Sequence, residues 1–261
     1  MVFGQQIMRE KIIDFFVGPF SGGKTEAANY AENLISKMRT TVRIADVVYF
    51  VPLVTTDSHG EEGLREAGNH FHEWNQKSFF NPHNHAHGEN HFPFTVIERE
   101  PDIGPRLFEA TGRAIVEATQ KIEAASLESG EPVGRVIVEA GMGLNIDCQI
   151  SQADWSTNAW IEAWKRAGLW EEILPRIGRV FAVNALWEVR LGRNDLRPDE
   201  FGGERQSFAV GKECLHVTRQ PDFKSWLEHG LGENQLIITE NNGSRSDFHT
   251  SISGPFMEGL F

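Results

Sequence analysis

A glycine-rich octapeptide near the start of the chain constrains its fold more than any other feature. The octapeptide lies between an apolar run at 12–17 and apolar residues at helical spacing over 24–38. Glycines let backbone N–H groups converge on an anion, and a helix that follows adds the positive end of its dipole. The pattern, G-x-x-x-x-G-K-[ST], therefore predicts a strand–loop–helix unit that binds phosphate. Its members are Gly18, Pro19, Phe20, Ser21, Gly22, Gly23, Lys24 and Thr25.

Strands and helices alternate along much of the remaining chain. Short apolar or β-rich runs predict strands at 12–17, 41–46, 136–139, 179–183 and 236–239. Apolar residues at helical spacing predict helices at 24–38, 102–130 and 155–167. This alternation predicts a three-layer α/β fold, with a mostly parallel central sheet of about five strands and helices on both faces.

Between residues 57 and 100 the periodicity fades and seven of the ten histidines accumulate. We interpret this stretch as a flap inserted into a single domain that spans residues 1–261. The histidines at 83–91 could bind zinc, contact acceptor phosphates or make the flap sensitive to pH, and the sequence leaves these roles open.

Two carboxylates, Asp46 and Glu139, are the last residues of predicted strands. In doubly wound sheets, ligands lie beyond the carboxyl ends of the strands. Phosphoryl transfer needs one carboxylate near the acceptor hydroxyl, to orient it and take its proton, and another to hold Mg²⁺. Either residue could be the base, and Asp57 is a third candidate, on the acceptor side.

The octapeptide resembles the Walker A loop, and the chain resembles P-loop NTPases, in particular the nucleoside and nucleotide kinase group. The resemblance implies the P-loop NTPase fold, ATP as phosphoryl donor and Mg²⁺ as cofactor. Lys24 would bridge the β- and γ-phosphates, and the Thr25 hydroxyl would ligate Mg²⁺. Glu139 resembles the Walker B carboxylate, which implies a place at the metal. Asp46 resembles the acid that closes the second strand of many small-molecule P-loop kinases.

Arginines are concentrated in the segment 187–205, which follows a predicted strand. Helical spacing places Arg190, Arg193 and Arg197 on one face. Guanidinium groups stabilise the charge that spreads over a transferring phosphoryl group, so these three are candidate catalytic residues. The segment resembles the lid of nucleotide-type kinases. A solvated helix whose arginines pair with neighbouring acids is the alternative interpretation.

Arg106 and Arg113 are seven residues apart on the helix predicted at 102–130, so they project to the same side. They could bind a phosphate or carboxylate of the acceptor, or they could be ordinary surface arginines. Trp160 and Trp164 are four residues apart, a spacing that suits core packing and would also suit stacking on a base.

The composition of the chain indicates which binding partners and which cell compartment to expect. A formal net charge of −12 disfavours broad contact with duplex nucleic acid. The chain has only two cysteines, which is too few for a disulfide framework. It shows no long apolar run and no leader pattern in residues 1–11. We therefore expect a cytoplasmic protein without a membrane span.

The leading hypothesis is an ATP-dependent phosphotransferase. It would move the γ-phosphoryl of Mg-ATP to a hydroxyl or phosphate of a nucleoside, nucleotide or related small molecule. One alternative is a kinase that acts on a hydroxyl carried by DNA or RNA. A second alternative is a nucleotide-gated ATPase or switch protein. The sequence identifies neither the acceptor nor the oligomeric state.

Overall fold

Five strands in the described part of the chain form one parallel sheet. The structure, a computed structural model, describes residues 11–19, 22–35, 40–45, 103–130, 132, 134–142, 156–200 and 223–258. The strands are β1 (Ile13–Val17), β2 (Thr40–Ala45), β3 (Gly134–Ala140), β4 (Ile177–Asn184) and β5 (Leu236–Glu240). Their order is β2-β3-β1-β4-β5, and every neighbouring pair is parallel. The predicted α/β class and five-stranded parallel sheet are confirmed.

Helices cover both faces of this sheet. They are α1 (Lys24–Ile35), α2 (Ile103–Ser129), α3 (Thr157–Arg166), α4 (Trp170–Ile173), α5 (Trp187–Glu200), α6 (Ser225–Glu228) and α7 (Arg245–Glu258). The apolar residues of α1 and α7 pack on one face, and those of α2, α3, α4 and α6 pack on the other. No described helix combines the length and the apolar character needed to cross a membrane.

Alternate residues of the strands supply the two apolar layers. Phe16 of β1 stacks on Phe181 of β4 at 4.8 Å between ring centroids, on the face that α1 and α7 cover. Phe15 points to the opposite face, where its ring centroid lies 6.0 Å from that of Trp164. Trp160 and Trp164 are fully buried there, which confirms core packing for this pair. A parallel sheet buried on both faces needs such apolar residues at nearly every position.

The strand order creates a crevice at the carboxyl ends of β1 and β3. After β1, the chain passes through α1 to β2, which lies at one edge of the sheet, beyond β3. After β3, the chain passes through α3 and α4 to β4, which pairs with β1 on the side opposite to β3. Ligands of doubly wound sheets bind where the strand order reverses in this way, because the two loops separate there. The glycine-rich octapeptide begins at this point.

A buried ion pair joins β1 to β3 near their amino ends. Arg135 donates two hydrogen bonds to Asp14, from Nε to Oδ2 at 2.6 Å and from Nη2 to Oδ1 at 2.8 Å. The two side chains are only 3% and 1% exposed. Removing one partner of such a pair leaves an uncompensated buried charge, which is strongly destabilising.

We therefore expect Arg135→Leu to lower the free energy of unfolding by about 3–5 kcal/mol, measured by urea denaturation. The double variant Asp14→Leu with Arg135→Leu should recover much of that loss, since it buries no lone charge. Lys121→Leu is the control, because Lys121 pairs with Glu117 on the exposed surface of α2 and should matter little. Equal losses for Arg135→Leu and Lys121→Leu would contradict the role of burial.

Candidate functional site

The loop after β1 starts at a glycine that no other residue could replace without movement of the backbone. Gly18 has φ +154°, and a Cβ at this position would lie 2.1 Å from the carbonyl oxygen of Val183 in β4. The loop then turns, with Gly22 N–H donating to Pro19 O at 3.2 Å. Helix α1 follows at once, and its first internal bond runs from Ala27 N–H to Gly23 O at 3.0 Å. The strand–loop–helix unit predicted from the octapeptide is present.

The start of α1 meets the end of β3 through two predicted site residues. The Thr25 hydroxyl donates a hydrogen bond to Oε1 of Glu139. Glu139 is 1% exposed and Lys24 is 7% exposed, so a carboxylate and an ammonium are both buried at this edge of the sheet. The N–H groups in the first turn of a helix have no acceptor within the helix, and they add positive potential here. The structure thus brings Lys24, Thr25 and Glu139 to the crevice.

Asn241, which directly follows β5, supports the loop from the other side. Its backbone N–H donates to Asn184 O at 2.7 Å, and its side-chain Nδ2 donates to Gly22 O at 3.0 Å. Gly23 makes room for this amide, because a Cβ there would lie 2.1 Å from Nδ2. Sequence reasoning missed Asn241. Its position at the carboxyl end of a predicted strand, the same signal that selected Asp46 and Glu139, could have found it.

Arg193 approaches the loop through Asn241. Its Nη2 donates to both the backbone oxygen and Oδ1 of Asn241, each at 3.0 Å. Burial lowers the pKa of Arg193, and the charge of Glu26 opposes that shift. The guanidinium therefore lies close to the first turn of α1.

Arg190 differs from Arg193, one turn away on α5. Its side chain is fully buried, and its guanidinium carbon lies 5.9 Å from the ring centroid of Trp187. Burial lowers the pKa of Arg190 to about 10, so it keeps its charge at neutral pH. In this arrangement Arg190 does not reach solvent. Arg190 and Arg193 thus lie in different environments on α5, and the role of Arg190, Arg193 and Arg197 at a transferring phosphoryl group stays a prediction.

A second ionic cluster lies just beyond Thr25 on α1. The Glu26 carboxylate accepts a hydrogen bond from Nε of Arg245 and lies 3.0 Å from Nε2 of His249, both on α7. The His249 ring stacks on Tyr30 at 3.9 Å between centroids. A carboxylate in the first turn also suits the helix dipole. The cluster ties the first two turns of α1 to α7 and so supports the loop.

The remaining predicted residues are not gathered at the crevice by the described structure. Arg113 is exposed on α2 and donates to Glu109 of the same helix, so its role in binding the acceptor stays a prediction. Arg106 and Arg197 lie on described helices, α2 and α5, but their side chains are outside the described part. Also outside it are Phe20, Ser21, Asp46, Asp57 and the histidines of 83–91.

The described residues of this site offer oxygen atoms to a metal ion. Among the residues that the structure describes, no group of three or more His, Cys, Asp or Glu side chains could hold a metal ion. The Thr25 hydroxyl and the Glu139 carboxylate are adjacent, and hard oxygen ligands of this kind suit Mg²⁺, which keeps several of its waters and takes the rest from substrate phosphates.

Comparisons with known proteins assign no family. No protein-family model matches the chain, and no curated protein matches it. Among solved structures, the chain is similar to the crystal structure of TT1252 from Thermus thermophilus. The sequence identity is 14%, the TM-score is 0.40, and the match covers 95% of this chain and 98% of that one. At this identity and TM-score the likeness indicates no shared activity.

The close approach of Gly18 to β4 predicts a specific sensitivity. We expect Gly18→Ala to lower the free energy of unfolding by about 1–3 kcal/mol, because backbone must move to admit the methyl group. Gly192→Ala is the matched control. Gly192 lies inside α5 with no described atom within 4 Å of an added Cβ, so alanine should stabilise the helix by about 1 kcal/mol. Thermal unfolding of both variants checks the prediction, and equal effects would contradict it.

Proposed function

We propose that the protein is a P-loop kinase, an ATP-dependent phosphotransferase that acts on a nucleoside, nucleotide or related small molecule. In this proposal residues 1–261 form a single cytoplasmic domain with the P-loop NTPase fold. Residues 57–100 are its flap, and residues 187–205 are its lid. The octapeptide holds the phosphates of ATP at the reversal in strand order.

The observation that carries the proposal is the contact between Thr25 and Glu139. The two residues come from separate predictions, one from the octapeptide and one from a strand end, and a hydrogen bond joins them at the crevice. Lys24 is buried at the same point. A chance match to the octapeptide pattern would not require a buried carboxylate, next to its final hydroxyl, at the end of a neighbouring strand. This agreement supports phosphate binding with a metal.

Thr25 and Glu139 fit Mg²⁺, since both offer oxygen atoms on one side of the crevice. When bound, the ion would neutralise charge between the β- and γ-phosphates. Lys24 would bind the phosphate oxygens, and the N–H groups at the start of α1 would orient them. Arg193 would add positive charge from the α5 side. Since Thr25 engages Glu139, orientation of the acceptor hydroxyl falls to Asp46 in this proposal.

A nucleotide-gated switch is the second candidate. The hydrogen bonds from Arg193 to Asn241 favour it, because they would let α5 follow the state of the loop without any acceptor. A switch protein needs only the loop, the metal residues and a change in α5. In that case the protein would hydrolyse ATP slowly, without an acceptor.

One experiment distinguishes these activities. The protein is incubated with γ-labelled ATP, Mg²⁺ and separate pools of nucleosides, nucleotides and oligonucleotides, and the label is followed to its product. Label on a nucleoside or nucleotide is the expected result. Label on an oligonucleotide would favour the nucleic-acid kinase, and label released only as inorganic phosphate would favour the switch. Failure to bind Mg-ATP at all would refute the three proposals together.

The role of Lys24 gives a direct test of the loop. Lys24→Met keeps the length and the apolar stem of this buried side chain but removes its charge. We expect phosphoryl transfer to fall by about 10²–10³-fold, with the far-UV circular dichroism spectrum unchanged. Lys165→Met is the control, because Lys165 pairs with Glu162 on α3, away from the loop. Wild-type turnover by Lys24→Met would refute the assignment.

Glu139→Gln tests the metal site separately. Glutamine still accepts a hydrogen bond from Thr25, but it lacks the negative charge that attracts a cation. We expect the Mg²⁺ concentration for half-maximal ATP turnover to rise about tenfold or more, by analogy with changes to other metal ligands. A Mg²⁺ titration of steady-state rates measures this shift. An unchanged titration midpoint would show that Glu139 does not serve the metal.

A further inference from the structure

The side chain of Asn241 joins two parts of the proposed site that the sequence treats as separate. On one side its Nδ2 donates to Gly22 O in the phosphate loop, at 3.0 Å. On the other, its Oδ1 and its backbone oxygen each accept from Nη2 of Arg193 on α5, at 3.0 Å. The residue is 3% exposed. Only one orientation of the amide satisfies both contacts, since a flipped amide would place oxygen against oxygen and donor against donor.

Holding Gly22 O also fixes the next backbone donor. The carbonyl of residue 22 and the N–H of residue 23 belong to one planar trans peptide, in which they point in opposite directions. With Gly22 O directed at Asn241, the Gly23 N–H is directed away from it. The orientation of one loop N–H group therefore depends on the side chain that directly follows β5. Gly23 itself leaves room for that side chain.

Only one of the two terminal nitrogens of the Arg193 guanidinium has hydrogen-bond partners among the described residues. Both of its hydrogen bonds to Asn241 use Nη2, whereas Nη1 is buried and has no hydrogen-bond partner among the described residues. A buried guanidinium nitrogen without an acceptor is costly, so an anion bound at the loop would gain from approaching it. Any movement of Arg193 toward such an anion pulls on Asn241, and through it on Gly22.

We infer that Asn241 is a positioning residue that couples α5 to the phosphate loop. It aims the peptide between Gly22 and Gly23 at the phosphates of the nucleotide and holds Arg193 beside them. The inference rests on the proposed function, because it assumes that the loop binds a polyphosphate. Beyond that function, the inference states that the loop and the start of α5 respond to the nucleotide as one unit.

The test measures the affinity of the full chain for Mg-ATP and for magnesium tripolyphosphate, by isothermal titration calorimetry. Tripolyphosphate reports on the loop without contacts from a base. We expect Asn241→Ala to weaken both ligands about tenfold, which is the effect of losing one buried hydrogen bond. Asn241→Asp should weaken them at least as much. It keeps the acceptor for Arg193 but turns an oxygen toward Gly22 O.

A double-mutant cycle separates coupling from two independent effects. Arg193→Met alone should also weaken both ligands. The double variant Asn241→Ala with Arg193→Met should lose less affinity than the product of the two single losses, because each single variant already breaks the contact between the two side chains. Multiplied losses in the double variant would overturn the coupling.

Thr239→Val is the matched control. Thr239 lies two residues earlier, within β5, and is 3% exposed. Its hydroxyl has no hydrogen-bond partner among the described residues. This variant should bind both ligands like the wild-type chain. If Asn241 had only a structural role, its variants would have a lower melting temperature and a smaller fraction of protein that binds. The affinity of that fraction would not change.

Wild-type affinities in both Asn241 variants would overturn the inference while leaving the proposed function intact. If Asn241→Ala does not fold, the affinities of Asn241→Asp and Arg193→Met test the inference instead. Wild-type affinity in both of these variants would also overturn the inference. Failure of the wild-type chain to bind either ligand would overturn the proposed function and this inference together.

Discussion

Hydrogen bonding of β1 on both sides is the constraint on which the rest of the structure depends. β1 is the third of five strands and pairs with β3 and β4, so its carboxyl end cannot shift toward either neighbour. The loop that leaves it passes so close to Val183 that only glycine fits at position 18. Glu139, on β3, then meets the first turn of α1. The pairing of β1 with β3 and β4 thus determines the geometry of the candidate site.

The fold was predictable where local and tertiary preferences agree. Apolar runs gave all five strands within a few residues, because strands buried on both faces leave little room for polar residues. The final helix, α7, was not predicted. Gly254 and Pro255 argue against a helix, yet Phe248, Ile252 and Phe256 are spaced four apart and are buried against the sheet. Tertiary packing therefore outweighs the local preference in α7.

The site was predictable from the sequence only in part. The octapeptide is a local signature, so the sequence alone placed Lys24 and Thr25 in the candidate site, and the end of a predicted strand added Glu139. The environment of α5 has no such signature. Spacing placed Arg190 and Arg193 on one face, but it could not show that one is buried beside Trp187 and the other is held by Asn241. Asn241 follows a predicted strand, but asparagine has many roles in loops, so this position alone did not assign it to the site.

The hydrogen bond between Asn241 and Gly22 spans 219 positions along the chain. During synthesis from the amino terminus, the octapeptide leaves the ribosome long before Asn241, which supports it, is made. Contacts of such long range form late in folding, because a large loop must close first. Nascent or shortened chains that lack β5 therefore carry the motif without its support. The octapeptide is therefore complete in sequence well before the contact that holds its backbone can form.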